Sequence, residues 1–116
     1  MLAENQKQRI IQEFVPGRQV TLAHIITNPT RVLYAKLGLF DGAGAIGIFT
    51  ITPSEAAMIA ADVASKAARV QIGFVDRFNG SLLITGETGD VEAAMNGVLA
   101  VLCGKMGYTP TPITRT

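Results

Sequence analysis

Residues 12–24 read QEFVPGRQVTLAH, two short apolar alternations joined by Pro16-Gly17, near the start of the sequence and including its single histidine, His24. Proline presets a turn dihedral and glycine tolerates positive φ, so the pair separates two strand candidates, residues 10–15 and 19–26. In the second, Val20, Leu22 and Ile26 alternate with Thr21, Ala23 and Ile25, which predicts a strand at least partly buried on both faces. His24 falls in register with Val20 and Leu22, so its ring is expected in packed surroundings, as a hydrogen-bonded structural residue rather than a catalyst. The first strand either borders an active site or is an arm that meets something outside its own subunit. The remaining residues decide between the two.

Working outward, Asn28-Pro29 predicts a helix start, with Asn as cap and Pro in the first turn. Val32, Leu33 and Leu37 give this helix an apolar side, and Gly38 a left-handed stop. The loop GLFDGAG leads into a buried strand over residues 45–51. Thr52 and Glu55 read as a T-x-x-E capping box with Pro53 at the first helical position. The body that follows, AAMIAADVASKAA, is so rich in alanine that its axis can lie close to a sheet or a neighbouring subunit. Strands over 70–75 and 81–85 flank DRFNG, whose Asn79-Gly80 is a hairpin turn pair. Val91, Ala94, Met95, Val98 and Leu102 recur at helical spacing over residues 90–106, and Gly107 ends that helix. YTPTPITRT, with two prolines, is expected to be extended or loose, and residues 1–9 to be a flexible polar tail. The order ββ-α-β-α-β-β-α predicts one α/β domain, a sandwich of helices against a mixed sheet.

Composition narrows the function. The chain has 116 residues, 48% of them hydrophobic but only 16% charged, with a net charge of +1. The charged share lies well below the usual quarter, so part of the exterior is expected to be covered by other copies. Without basic clusters there is no electrostatic footprint for nucleic acid or an anionic membrane. Aromatics at 6% and no Trp disfavour base-stacking platforms. No apolar run approaches the ~20 residues of a membrane span, and MLAENQKQRII has no apolar signal region, which together predict a cytosolic protein. One cysteine excludes an intrachain disulfide and a cysteine-rich metal site.

The short motifs have plain readings. GAGAIG, residues 42–47, matches G-x-G-x-x-G, but dinucleotide binding needs a strand before it and a helix after it, and here a strand follows. Asn79-Gly80-Ser81 is a glycosylation sequon that reads better as a turn. Cys103 beside Leu102 is expected to be a small buried hydrophobe. Asp90 and Glu92 suit a helix start, and no two carboxylates look pushed to different pKa values. No catalytic, cofactor-binding or metal-binding residue is therefore assigned. Lys66, on the alanine-rich helix, is either a solvated cation or one that snorkels across an intersubunit seam.

IIQEFVPGRQVTLAHII, AIGIFTITPSEAAMIAADVASKAA, VQIGFVDRFNGSLLITG and the closing ITRT are long, colinear and specific. From about Arg9 onward they resemble the circularly permuted, single-domain shell proteins of bacterial microcompartments, of the propanediol- and ethanolamine-utilisation type. The propanediol form is nearest, and choline-degrading compartments have related members. The resemblance implies a ferredoxin-like BMC-domain sandwich over residues 10–116. It also implies a homo-hexamer that tiles with other shell proteins around metabolic enzymes, with no cofactor. In ordinary members the segment matching residues 19–37 comes at the C-terminus. In the permuted group the segment matching Ile10, Ile11, Gln12, Glu13, Phe14 and Val15 builds a six-stranded barrel over the hexamer axis, which makes it an arm. Lys66 then matches a lysine at the hexamer edge, near Asn28 and Pro29. Ordinary members often have Arg before that proline, so edge packing here is expected to be weaker or differently arranged. Arg77, Phe78, Asn79, Gly80 and Ser81 match the loop that lines the pore in unpermuted relatives, a pore the barrel would obstruct.

Three further readings stay open at this point. A head-to-tail contact whose rotation does not close gives an open, screw-like assembly. The barrel rim offers a dock for the targeting peptide of a cargo enzyme. From a different class comes an oligomeric regulatory module that binds a small molecule. A small enzyme would have to depend on His24 or Cys103.

Overall fold

In a computed structural model that describes residues 17–39 and 44–116, five strands form one open sheet. They are β1 (Gln19–Thr27), β2 (Ala45–Thr52), β3 (Gln71–Asp76), β4 (Ser81–Gly86) and β5 (Thr114–Arg115), in the spatial order β3-β4-β2-β1-β5. The three pairings among β1 to β4 are antiparallel, and β5 lies parallel to β1. The expected tail over residues 1–9 and the strand over 10–15 lie outside the described residues.

Three helices cover the sheet: α1 (Arg31–Leu37), α2 (Ala56–Ala67) and α3 (Thr88–Leu99). β2 runs through the middle and is the most buried strand, as its near-continuous apolar run predicts. Phe49 and Ile51 point to the face under α2 and α3, with Ile25, Ile84 and Met95. Ile46 points to the opposite face, where Tyr34 of α1 and Leu83 meet it. The period of two along β2 thus builds a core on each side. The alanines bring the helices close: a Cβ added at Gly97 of α3 would stand 3.0 Å from the Ala67 Cβ of α2.

Several local expectations need correction. Asn28 does not cap α1. It sits at φ 49, its amide donating to the Gly44 carbonyl, and Thr30 is the cap, its hydroxyl accepting from the Leu33 amide at 3.1 Å. Gly38 does supply the left-handed stop, at φ 73. The T-x-x-E capping box does not form. Thr52 is held in the β2 ladder opposite Gln19, the helix begins at Ala56, and Glu55 makes no side-chain cap bond. The ladder takes the residue the cap would have used.

β1 also departs from simple alternation. A bulge between Val20 and Leu22 resets the register, so Val20, Ala23 and Ile25 pack in the core beneath α2 and α3 while His24 falls out of phase with Val20. The last helix begins two residues before its expected start, and beyond Leu99 it widens into a π-helical segment, Ala100–Lys105, ending near Gly107 at φ 78. The closing residues are extended but not loose. Tyr108 is buried, Thr109 exchanges backbone bonds with Arg18 and Val20, and β5 pairs with β1.

Candidate functional site

The register places the expected site residues at two ends of the sheet. Gln19 pairs with Thr52, Thr50 with Ser81, and Ser81 with Asp76, so the start of β1 and the β3–β4 hairpin share one end. Thr27 pairs with Ala45, Ala45 with Gly86, and Thr85 with Gln71, which defines the other. Asn28 and Pro29 follow Thr27, and Lys66 lies in the last turn of α2 just ahead of β3, at that second end. Arg77, Phe78, Asn79 and Gly80 form the hairpin at the first end, with Ser81 opening β4. Ile10 to Val15, which precede β1, lie outside the described residues.

The hairpin is stiff. One Asp76 carboxylate oxygen accepts from the Phe78 and Asn79 amides at 2.9 and 3.1 Å, and the other from the Asn79 side-chain amide at 2.8 Å. The Asn79 side chain, then the two amides, hold the Asp76 carboxyl below its ordinary value. Gly80 sits at φ 78 with its carbonyl accepting from Ile51, and a Cβ there would stand 2.1 Å from the Ile51 carbonyl oxygen. This frame presents Phe78, 78% exposed, under the Arg77 guanidinium 5.0 Å from the ring centroid.

Among the described residues β3 beside it is an edge strand. Ile72, Phe74 and Val75 are exposed large apolar residues on a strand that pairs only with β4 among the described residues. Edge strands usually carry lysine, proline, a bulge or a covering element; β3 has neither lysine nor proline, and its pairing with β4 shifts register between Ile72 and Phe74. Met58 of α2, Phe74, Val75 and the hairpin line an open groove of about 460 Å³. A second, more polar hollow of about 620 Å³ lies at the other end of β3, between Arg69, Gln71, Glu87 and Asp90. Sequence reasoning assigned no role to Met58, Phe74 or Val75. Their only signal was the scarcity of charge along VQIGFVD.

Lys66 reaches back one turn, its Nζ 2.9 Å from Asp62 Oδ2, with both side chains largely exposed. Such a pair holds weakly in water and leaves the ammonium free to exchange partners. The residues weighed for chemistry have structural surroundings. Both His24 ring nitrogens bond threonine hydroxyls, at 2.6 and 3.0 Å. Cys103 is half-buried against the core, and burial pushes its thiol up, away from the reactive thiolate. Gly44 leads into β2, so GAGAIG has no helix behind it. Glu92 pairs with Arg115 at 2.6 Å rather than serving a helix start. Among the described residues no three His, Cys, Asp or Glu gather as a metal would require, and no helix is long and apolar enough to cross a membrane.

Comparison with known proteins places this geometry. The BMC domain matches residues 45–110, so it begins at β2. β1 and α1 precede the match in sequence although β1 lies inside the sheet, between β2 and β5. Over 108 residues, 93% of each protein, the chain is 55% identical to the bacterial microcompartment shell protein PduU of Salmonella typhimurium. A solved structure described as a CutR flat hexamer, form 1, is 44% identical and superposes with a TM-score of 0.84 over 93% of this chain and 99% of that one. Another, described as a CutR screw, form 1, with 41.9 Å pitch, is 42% identical with a TM-score of 0.82, covering 87% of this chain and 100% of the other.

Proposed function

Because this chain belongs to the BMC-domain family of bacterial microcompartment shell proteins, we propose that it works as a tile. Identical copies join side to side into a hexamer, and hexamers pack with other shell proteins into the wall around metabolic enzymes. The observation that carries this reading is the open β3 edge, with Ile72, Phe74, Val75 and Met58 exposed beside it. Covering each half-exposed side chain contributes on the order of 1 kcal/mol, and a ring repeats the contact at every seam.

In this reading the two ends of the sheet have different duties. Lys66, Asn28 and Pro29 meet the neighbouring hexamer. The hairpin Arg77 to Gly80, with Ser81, faces the axis, and residues 10–15 rise from the same end to form the barrel that covers it. That β1 begins at the same end of the sheet as Ser81 and Asp76 supports this placement. The permuted domain would then span residues 10–116 behind a nine-residue tail, and the barrel rim would receive cargo-targeting peptides. The tile performs no reaction. The relatives' description as shell proteins favours this over a small-molecule regulator or a small enzyme.

A second assembly has an observation behind it. CutR, with the same subunit fold, is described both as a flat hexamer and as a screw. A head-to-tail contact closes only if its rotation divides the circle, so the rotation at the seam decides between the two forms. Negative-stain images of the purified chain beside Lys66→Ala test the tile directly. Sheets or tubes are expected for the parent and altered lattices for the variant at unchanged circular dichroism. Identical lattices would remove Lys66 from the edge.

A further inference from the structure

β1 pairs with β2 through eight registered residues, but its outer edge has only two ladder pairs, His24 with Thr114 and Ile25 with Arg115, and one bridge, Gln19 with Thr109. A ladder this short holds little by itself, since even a complete two-stranded hairpin is marginal in water. Pro110 and Pro112 lie between the bridge and β5 and have no amide hydrogen to add. Residues 108–116 nevertheless follow β1 from end to end.

Backbone bonds tie both ends to β1, including the Thr116 amide donating to the Ile25 carbonyl at 2.9 Å, and side chains add to the hold. The Arg18 guanidinium donates to the Met106 carbonyl and lies 5.3 Å from the centroid of the buried Tyr108 ring. At the far end the Thr27 amide and hydroxyl both donate to the Thr116 carbonyl at 2.8 Å, and Arg115 pairs with Glu92. His24 sits between these anchors, Nδ1 2.6 Å from the Thr114 hydroxyl and Nε2 3.0 Å from that of Thr116. The Thr114 hydroxyl also lies 3.4 Å from the Ala23 carbonyl. Each ring nitrogen thus has a hydroxyl partner, with donor and acceptor roles that follow the tautomer.

We infer that residues 108–116 form a clipped strap that seals the outer edge of β1 against a second copy of this chain, with His24 as the central clip. A sheet with two open edges extends without limit. Among the described residues this strap leaves β3 as the long edge, since its own prolines and two-residue strand β5 offer little pairing capacity. The partner excluded is thus another β1 edge, which is the surface such a strand fits best.

The test uses the full chain with Cys103→Ser and Leu22→Cys, the latter at an exposed position beside His24. Thr114→Val with Thr116→Val removes the two hydroxyls while keeping shape and strand preference. The Thr27 and Thr116 amides should then exchange hydrogen at least tenfold faster, with the β2 and β4 amides unchanged. A bis-maleimide, whose span tolerates a register offset, should capture dimers linked through the introduced thiol at least fivefold faster than in the parent. His24→Ala should reproduce both effects. Unchanged exchange overturns the side-chain hold. Faster exchange without faster capture, or equally fast capture in the parent, overturns the sealed edge.

Discussion

Gly47 shows how little freedom the core leaves a single residue. A Cβ there would stand 2.8 Å from Met95 Sδ, 2.9 Å from Val91 Cγ1 and 3.0 Å from Ile84 Cγ1. Gly47→Ala should therefore cost about 1–3 kcal/mol by overpacking, read as a lower urea midpoint at unchanged slope. Asp76 makes a prediction of the opposite kind, about an exposed loop. Its carboxyl is held below its ordinary value chiefly by the Asn79 side chain, then by the Asn79 and Phe78 amides. A depressed carboxylate stabilises the folded hairpin above the unfolded pKa of about 3.9, and that contribution is lost as pH falls through the lower folded value. The Asn79 amide shift followed by NMR should titrate with its midpoint below about 3.9. A midpoint at or above that value would mean the Asp76 bonds are not formed in solution.

Among the elements, α1 tests the corrected capping. Thr30→Ala removes the only side-chain bond to the Leu33 amide described there and should cost about 1 kcal/mol. Asn28→Gly, at a left-handed position that glycine adopts freely, should cost little or stabilise. Chemical denaturation of the two variants side by side checks the contrast, and a larger loss from Asn28→Gly would restore Asn28 as the cap. What was legible in the sequence follows the same division between local and distant causes. β2, β4 and the Asn79-Gly80 turn were readable because period and turn chemistry act within a few residues. The start of α2 was not, since Thr52 is claimed by Gln19, a partner from the far end of another strand. Nor was the hold on the closing residues, because the proline-broken run TPTP has no period and its clip is a histidine 90 residues away. The exposed groove at Phe74 escaped for another reason: apolar residues on a short strand look buried until the sheet order makes that strand an edge. For the site residues, the specific resemblance supplied Lys66 and the hairpin, and spacing alone did not.

At the scale of the whole molecule, a low share of charge, exposed apolar residues on the β3 edge and an alanine-rich helix beside it describe a subunit built to be covered. Phe74→Asp places a charge on that edge at an already exposed position. It should weaken association at least tenfold, by concentration-dependent light scattering, while the circular dichroism of the subunit stays that of the parent. The most direct measurement of the central claim, that identical copies associate, is sedimentation of the purified chain across a wide concentration range. The account predicts a species near six times the 12.3 kDa chain mass, or the larger polymers of an open screw. A compact 12.3 kDa monomer at every concentration would contradict it.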